Sequence, residues 1–329
     1  MKKLLITLCF AAVASVAMAA EEPEFSYVPQ VHGAFRTRWE VDAKNGDNRF
    51  QVRNARLSIE GKIAPSVAYF LQTDLCDGGV IKILDAYGTV NIVKGLQLKA
   101  GQFRMPFGVE PRRAPNNYFF ANRSFMGKQV MNYRAVGAQV GYTLSMIPLT
   151  VEFGAFNPAT IGNHNIWNRT VAYSGRATYQ LGEVALSASY GSIRPNGIRA
   201  NLVDGSVVWN DKKHWMVAGE YMHKTYCNGA QPVDTWLGFV DWHKDVKAGV
   251  FNRWSIQVRE DGMTDHLKMD GSAIEPGRDR ITLGSTLTFA YKAVHFDVRA
   301  NYEKYFYHKD VEVPVGDSDR VVAELVIRF

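Results

Sequence analysis

The sequence has little cysteine and only one long apolar run, and both shortages limit what the chain can be. Of its 329 residues three are cysteine, and since Cys9 lies within the N-terminal apolar run, only Cys76 and Cys227 follow it. A chain of about 310 residues needs no disulfide to stabilise its fold, so we expect no bridge between them. Beyond the N-terminal run, no stretch approaches the roughly 20 apolar residues of a membrane-spanning helix. Small disulfide-rich folds and insertion as helices are therefore excluded.

Runs of like charge are also absent. The chain has 38 Lys and Arg against 32 Asp and Glu, a formal net charge of +6 that is too small to indicate binding of nucleic acid or of acidic lipid surfaces. The eight histidines show no pair at metal-ligand spacing on a common face, so no metal and no cofactor is expected. What the sequence does have is 12% aromatic residues and singly scattered charges, a mixture typical of alternating strands.

The N-terminus has the features of an export signal. Two lysines at positions 2 and 3 precede an apolar run over residues 4–18, which ends in the small-x-small pattern Ala17-Met18-Ala19. We therefore expect residues 1–20 to be a signal peptide that is removed, and residues 21–329 to form one domain.

The C-terminal residues alternate with a period of two. One face carries Val321, Ala323, Leu325, Ile327 and Phe329, and the other carries Arg320, Val322, Glu324, Val326 and Arg328. The same pattern recurs over residues 294–303, where the second face is almost wholly polar, and in several earlier segments. Strands are predicted to dominate the chain.

The connections between these strands fall into two alternating classes. Seven are short, near residues 64–66, 93–95, 145–148, 181–183, 211–213, 245–247 and 291–293. Eight are longer, near residues 42–48, 77–80, 105–133, 157–167, 194–198, 227–232, 261–278 and 308–317. Sixteen strands with tight turns at one rim and long loops at the other are the layout of a bacterial outer-membrane β-barrel. The predicted fold is thus an all-β, 16-stranded antiparallel transmembrane barrel with short periplasmic turns and long extracellular loops.

The width of such a barrel indicates its function. Arg and Lys on the lipid face cost roughly 2 to 4 kcal/mol at the bilayer midplane, so charged residues must face the lumen. About 16 strands are too many for side chains to fill the interior, which should therefore hold water. Passive transport of small solutes is the leading prediction.

Two local patterns go beyond general barrel character. The first is Phe50-Gln51-Val52-Arg53-Asn54-Ala55-Arg56-Leu57 followed by Ile59-Glu60-Gly61, and the second is Leu84-Asp85-Ala86-Tyr87 followed by Gly101-Gln102-Phe103-Arg104-Met105-Pro106-Phe107-Gly108. Together they resemble the phosphate-selective porin O/P family. The resemblance implies a trimeric sixteen-stranded outer-membrane porin whose third long loop folds inward, with arginines and lysines along the pore that draw anions through. The chain departs from the family pattern at Asn54, where a second arginine would follow Arg53, and this departure favours a weakly selective general porin as an alternative.

The distribution of charge points to the longest loop. Residues 104–134 contain six basic residues and the single acid Glu110, a net charge of +5 that accounts for essentially all of the positive charge. Guanidinium groups suit phosphate-like anions because each offers a planar fork of donors that is always charged. We take residues 105–133 as a candidate constriction loop. The candidate residues of the anion path are Arg36, Arg38, Arg53, Arg56, Lys62, Asp85, Lys99, Arg104, Arg112, Arg113, Arg123, Lys128 and Arg134.

Several of these residues have alternative interpretations. Arg112, Arg113, Arg123 and Lys128 could instead bind the phosphates of lipopolysaccharide or be merely solvated. Arg36, Arg38 and Arg56 could pair with acids on neighbouring strands, and Asp85 is expected to balance nearby arginines. Arg53 lies on the parity opposite to Arg56, so it reaches the lumen only through a bulge or from a position beyond the membrane rim.

Two other classes of function remain as remote alternatives. A barrel enzyme would need a nucleophile and a base, for which Ser189 and His214 are conceivable although nothing in the sequence links them. An adhesin would use the long loops as binding surfaces. The expected partners are small anions, outer-membrane lipid with lipopolysaccharide, and two further copies of the chain in a homotrimer, without nucleic acid.

Overall fold

A computed structural model describes residues 26–77, 79–114, 117–158, 161, 167–195, 197–268, 270–313 and 316–329. The predicted signal peptide, residues 1–20, lies outside the described residues. The strands are β1 (Gln30–Asp42), β2 (Asn48–Ala64), β3 (Val67–Asp77), β4 (Val80–Val93), β5 (Leu96–Arg104), β6 (Arg134–Thr143), β7 (Leu149–Phe156), β8 (Ala172–Leu181), β9 (Val184–Ile193), β10 (Ala200–Asn210), β11 (Trp215–Tyr226), β12 (Val233–Ala248), β13 (Phe251–Met263), β14 (His266–Leu267), β15 (Ile274–Glu275), β16 (Arg278–Tyr291), β17 (Val294–Tyr307) and β18 (Arg320–Arg328).

Sixteen of these strands form one closed antiparallel barrel. Each pairs with its neighbours in sequence, the short hairpin β14–β15 stands apart, and β1 pairs with β18 to close the sheet. The closing register runs from Ala34 opposite Arg328 to Asp42 opposite Arg320. Closure leaves no sheet edge unpaired, as a lipid environment requires. The predicted fold class is confirmed.

Side chains alternate across the barrel wall as the sequence predicts. In β18, Val321 and Leu325 are exposed on the outer surface, whereas Val322 and Glu324 are buried on the inner one. The apolar members of each strand thus form the lipid face, and the charged members face the lumen. No helix among the described residues is both long enough and apolar enough to cross a membrane.

The connections follow the predicted asymmetry with two differences. Strand β12 continues to Ala248 through a bulge that begins after Asp245, so its turn lies at residues 249–250 rather than 245–247. The second outer connection spans only residues 78–79 and is no longer than a periplasmic turn. Bulges and irregular registers explain both differences, because each inserts residues that a strict period of two does not count.

The third long connection, residues 105–133, is the third loop, and it folds into the barrel. It contains a short 3₁₀-helix (Glu110–Arg112) and a π-helical turn (Met126–Val130). Its buried apolar side chains, among them Phe107, Phe125 and Met126, form one core with inward-facing residues of the wall. The third loop therefore shares a hydrophobic core with one side of the barrel wall inside the lumen. The inward fold that the family resemblance implied is confirmed.

Candidate functional site

The polar contacts between the barrel wall and the third loop go largely to the backbone of the loop. Four buried arginines on β1, β13, β16 and β17 donate hydrogen bonds to carbonyl oxygens of the loop segment 118–123. The contacts are Arg299 to Tyr118 at 2.9 Å, Arg36 to Ala121 at 2.6 Å, Arg259 to Asn122 at 2.9 Å and Arg280 to Arg123 at 2.7 Å. We call these four side chains the arginine latch. Every residue has a backbone carbonyl oxygen. The latch therefore holds the path of this segment without requiring particular side chains in it.

Wall carboxylates bind the same four arginines. Glu324 pairs with Arg36 at 2.6 Å and with Arg299 at 2.9 Å. Asp261 pairs with Arg259 at 3.0 Å and with Arg280 at 2.9 Å. Loop amides complete the contacts, since the N–H of Phe125 donates to Asp261 at 2.9 Å. Glu303 lies 3.3 Å from Arg280, and Asp297 lies 3.8 Å from Arg299. Four wall acids thus offset the charges of the four latch arginines, whose hydrogen bonds hold the loop.

A cavity of about 320 Å³ lies on the other side of the loop, against β2, β4, β5 and β6. Eight basic side chains line it: Arg36, Arg53, Arg56, Lys82, Arg104, Arg123, Lys128 and Arg134. Within the part of the chain that the structure describes, no carboxylate is among the lining residues. Arg53, Lys82, Arg104 and Arg134 lie in the parts of their strands next to outer connections. Arg36 and Arg56 lie near the middle of β1 and β2, so we place the cavity in the extracellular half of the barrel. We call it the cationic cavity.

Two of the wall arginines are backed by acids. The Nε of Arg56 donates to Asp74 at 3.0 Å, and Arg134 forms a two-pronged pair with Asp85 at 3.0 and 3.1 Å. Neither acid lines the cavity. The carboxylates therefore orient these guanidinium groups and offset part of their charge.

Two further cations converge on one neutral oxygen. Arg104 and Arg123 both donate to the carbonyl of Pro111, and Arg123 also donates to the amide oxygen of Asn132 at 2.9 Å. Neither forms an ion pair with an acid among the described residues. Because the positive charges of Arg104 and Arg123 lie close together, binding of an anion between them is favoured.

Arg53 reaches the cationic cavity through a β-bulge. Arg36 lies opposite Asn54 and Thr37 lies opposite Val52, so Arg53 is the extra residue between them. The bulge reverses the parity of Arg53 relative to a regular strand. The sequence allowed Arg53 to reach the lumen either through a bulge or from beyond the membrane rim, and the structure shows the bulge.

Lys128 extends the cationic cavity from the loop side. Its side chain is accessible from the lumen. The surrounding wall and loop nevertheless desolvate the ammonium group, and this effect, followed by repulsion from Arg53, lowers the pKa of Lys128 to about 8. The charge of Lys128 is therefore present at neutral pH and is lost in mildly alkaline solution.

This pKa predicts a pH dependence of ion selectivity. Between pH 7 and pH 9 the protonated fraction of a group with this pKa falls from about nine-tenths to about one-tenth. Reversal potentials in planar bilayers should show the chloride-over-potassium preference weakening by up to roughly fivefold, the effect of one charge about 4 Å away in a water-like medium. In Lys128→Arg the preference should change much less over this range, because the arginine at position 128 does not titrate there. Equal pH profiles in the two proteins would rule Lys128 out as the titrating group.

The other predicted residues lie elsewhere in the lumen. Arg38 is buried against Glu40 at 3.0 Å, and Lys62 lines a separate cavity beside the N-terminal residues 26–30. Lys99 lies over the rings of Tyr87 and Phe103, 3.9 and 4.3 Å from their centroids.

The two arginines of the 112–113 pair are divided between different partners. Arg112 pairs with Glu152 at 2.5 Å, and Arg113 pairs with Glu110 at 3.0 Å. Both point into the barrel with the rest of the third loop. This position separates them from the outer surface, where lipopolysaccharide would be bound.

Sequence reasoning missed the latch residues Arg259, Arg280 and Arg299, and also Lys82. Alternation places Arg299 and Glu303 on the lumen face, but no local pattern shows which lumen arginines bind the loop. Lys82 was missed for a definable reason. Gln72 lies opposite Asp85 and Thr73 opposite Ile83, so Leu84 is bulged and the parity of the residues before it is reversed.

Solved structures of outer-membrane porins share this architecture at low sequence identity. An anion-selective porin from Comamonas acidovorans matches with a TM-score of 0.64 and 13% identity, covering 92% of this chain and 98% of that chain. Salmonella typhi OmpF, in complex with daunomycin, matches with a TM-score of 0.63 and 14% identity over 92% of this chain and 97% of that chain. The outer-membrane channel DcaP of Acinetobacter baumannii matches with a TM-score of 0.60 and 13% identity, covering 95% of this chain and 100% of that chain. At these identities the likeness shows the fold alone. No curated protein matches the sequence.

The sequence itself gives the family. The sequence model for phosphate-selective porins O and P matches residues 25–221, which is more than half of the chain. With the closed sixteen-strand barrel and the inward third loop, this match places the protein in the bacterial outer membrane as a diffusion channel. The chain therefore belongs to the phosphate-selective porin O and P family.

Proposed function

We propose that this porin prefers anions and that the cationic cavity is where the preference arises. The observation that carries the proposal is the lining of that cavity, in which eight basic side chains meet without a carboxylate among the described lining residues. A cavity whose lining residues carry charge of one sign, in a wall of low dielectric constant, concentrates ions of the opposite sign. Distributed basic groups also suit conduction, because an anion must be able to leave as readily as it enters.

The path of an anion would run along β4 to β7. At the periplasmic end of these strands lies a second cavity of about 700 Å³, lined largely by amides and hydroxyls together with Lys94 and Glu152. In the opposite half of the barrel, the latch and the loop segment that it binds adjoin a third cavity of about 930 Å³. Its lining is mixed in charge, because Asp241, Asp245 and Asp297 lie among its basic groups, so it lacks the uniform positive lining of the cationic cavity. An anion entering from outside would therefore meet the dense positive charge first and a nearly neutral vestibule afterwards.

Phosphate-like anions are the solutes that we propose. Several guanidinium groups are available at once, and a forked donor matches the oxygens of phosphate, sulfate or carboxylate. Asn54 stands where the family pattern has a second arginine, and it donates to Asp74 at 2.8 Å. This position carries no charge, which favours the second candidate function, a weakly selective general porin.

Bilayer recordings distinguish the two functions. In a potassium chloride gradient, an anion-preferring channel gives a reversal potential toward the chloride equilibrium, and a preference for potassium would contradict the proposal. Added phosphate should reduce the chloride current at low concentration if phosphate occupies the cationic cavity. An undiminished chloride current would support the general porin instead.

We also propose that the chain assembles as a homotrimer in contact with outer-membrane lipid. OmpT of Vibrio cholerae, which has the same fold at 10% identity and a TM-score of 0.58, has been solved in a trimer form. Native mass spectrometry of the purified porin should give three times the mass of the mature chain, and a monomer mass in mild detergent would contradict a stable trimer.

A further inference from the structure

Four of the seven tryptophans lie together on the lipid face of one sector of the barrel. They are Trp209, Trp215, Trp242 and Trp254, at the ends of β10 to β13 that adjoin short turns. Trp215 and Trp242 face each other across neighbouring strands with ring centroids 6.3 Å apart, and Trp242 lies 6.0 Å from Trp254. Since the short turns are periplasmic, this tryptophan cluster lies at the level of the inner leaflet headgroups.

Three lysines surround the tryptophan cluster. The Nζ of Lys244 lies 5.8 Å from the ring centroid of Trp242 and 5.6 Å from that of Trp254. Lys212 and Lys213 are exposed in the turn between β10 and β11. Among the described residues, none of the three lysines forms an ion pair with an acid.

The acids nearby are already engaged. One carboxylate oxygen of Asp211 accepts the backbone N–H groups of Lys213, His214 and Trp215, each at 2.8 Å, and so holds the turn in shape. Glu183 accepts the indole N–H of Trp209 at 3.2 Å. Hydrogen bonds from neutral N–H groups leave both carboxylates charged, so the three lysines exceed the two acids of this patch by one positive charge.

We propose that this patch is a binding site for an anionic glycerophospholipid of the periplasmic leaflet. The indole rings would lie among the upper acyl chains and the glycerol, and the ammonium groups would contact the phosphate. The small net charge of the whole chain predicts no general attraction to acidic lipid, so the preference would be confined to this sector.

Charge complementarity favours a lipid over a second copy of the chain. Contact of this face with the same face of another copy would bring its three lysines against the same three lysines, which is unfavourable. A phosphate group brings the opposite sign.

Native mass spectrometry of the full-length mature porin in detergent tests the proposal, with phosphatidylglycerol and phosphatidylcholine as the probes. The wild-type protein should retain phosphatidylglycerol in preference to phosphatidylcholine. In Lys213→Gln/Lys244→Gln the preference should fall by about 25-fold, because each lysine near an anionic headgroup contributes roughly a fivefold change in affinity.

The matched control is Lys44→Gln/Lys94→Gln, which removes two exposed lysines at sites away from the tryptophan cluster. It should keep the wild-type preference. Equal retention of the two lipids by the wild-type protein would overturn the proposal, as would an equal loss in both double variants. If the lipid preference is absent and instead Lys213→Gln/Lys244→Gln alone changes the oligomer mass, the face belongs to a contact between copies.

Discussion

Replacing Arg53 and Lys128 together by glutamine should remove most of the anion preference of this porin. The two side chains enter the cationic cavity from opposite sides, one from the bulge in β2 and the other from the third loop. Within the described residues neither forms an ion pair, so the field of each acts on the solute directly. A unit charge about 4 Å from an ion contributes about 1 kcal/mol in a water-like medium, or roughly fivefold in occupancy. The chloride-to-potassium permeability ratio, measured from reversal potentials, should fall by about 25-fold.

A control at the rim separates the effect of the cavity from that of total charge. Lys44→Gln/Arg49→Gln also removes two positive charges, but Lys44 is exposed in the first outer loop and Arg49 pairs with Glu40 while remaining 58% exposed. Exposed charges are screened beyond about 8 Å at physiological salt, so this variant should keep nearly the wild-type ratio. If the rim variant lost as much selectivity as the cavity variant, the preference would come from the overall charge of the mouth.

The barrel could be predicted from the sequence because its determinants are local. A period of two, interrupted by turns that alternate in length, is visible in any short window, and Val321 to Phe329 already shows which face contacts lipid. The errors arose at bulges, where one extra residue exchanges the lumen face and the lipid face for every residue beyond it. Lys82 was missed for this reason, whereas the mismatch in parity between Arg53 and Arg56 was itself a signal of a bulge.

The pairing of charges inside the lumen could not be predicted in the same way. Arg36 pairs with Glu324, which is 288 positions away and adjacent only because the first and last strands close the barrel. Alternation shows that both face inward, but the choice of partner depends on register and on height along the wall. Arg36 was therefore predicted as a pore residue, while the structure shows that it both lines the cationic cavity and belongs to the latch.

Arg280→Gln should both destabilise the barrel and release the third loop. Arg280 donates to the carbonyl of Arg123 in the loop and is held between Asp261 at 2.9 Å and Glu303 at 3.3 Å, all of them buried. Removing Arg280 from this buried charge network leaves Asp261 with Arg259 alone and Glu303 with Arg320 alone, at a cost of about 3 to 5 kcal/mol. The free energy of unfolding from denaturant titration in micelles should fall by this amount. Because the latch also positions the loop, single-channel conductance should rise and anion preference should fall in the protein that remains folded.

The double variant Arg280→Met/Glu303→Gln tests whether the loss of selectivity follows from the loop and not from instability. It removes the guanidinium and one of its acids together, while Asp261 keeps its pair with Arg259 and Arg320 keeps Glu40 nearby. Less uncompensated charge therefore remains than in the single variant, and stability should be partly restored. The contact to the carbonyl of Arg123 is still missing, and the loop should stay released. We therefore expect stability to recover while conductance stays high. If stability recovered and conductance also returned to the wild-type value, the other contacts of the third loop, such as those of Arg36 and Arg299, would be enough to hold it.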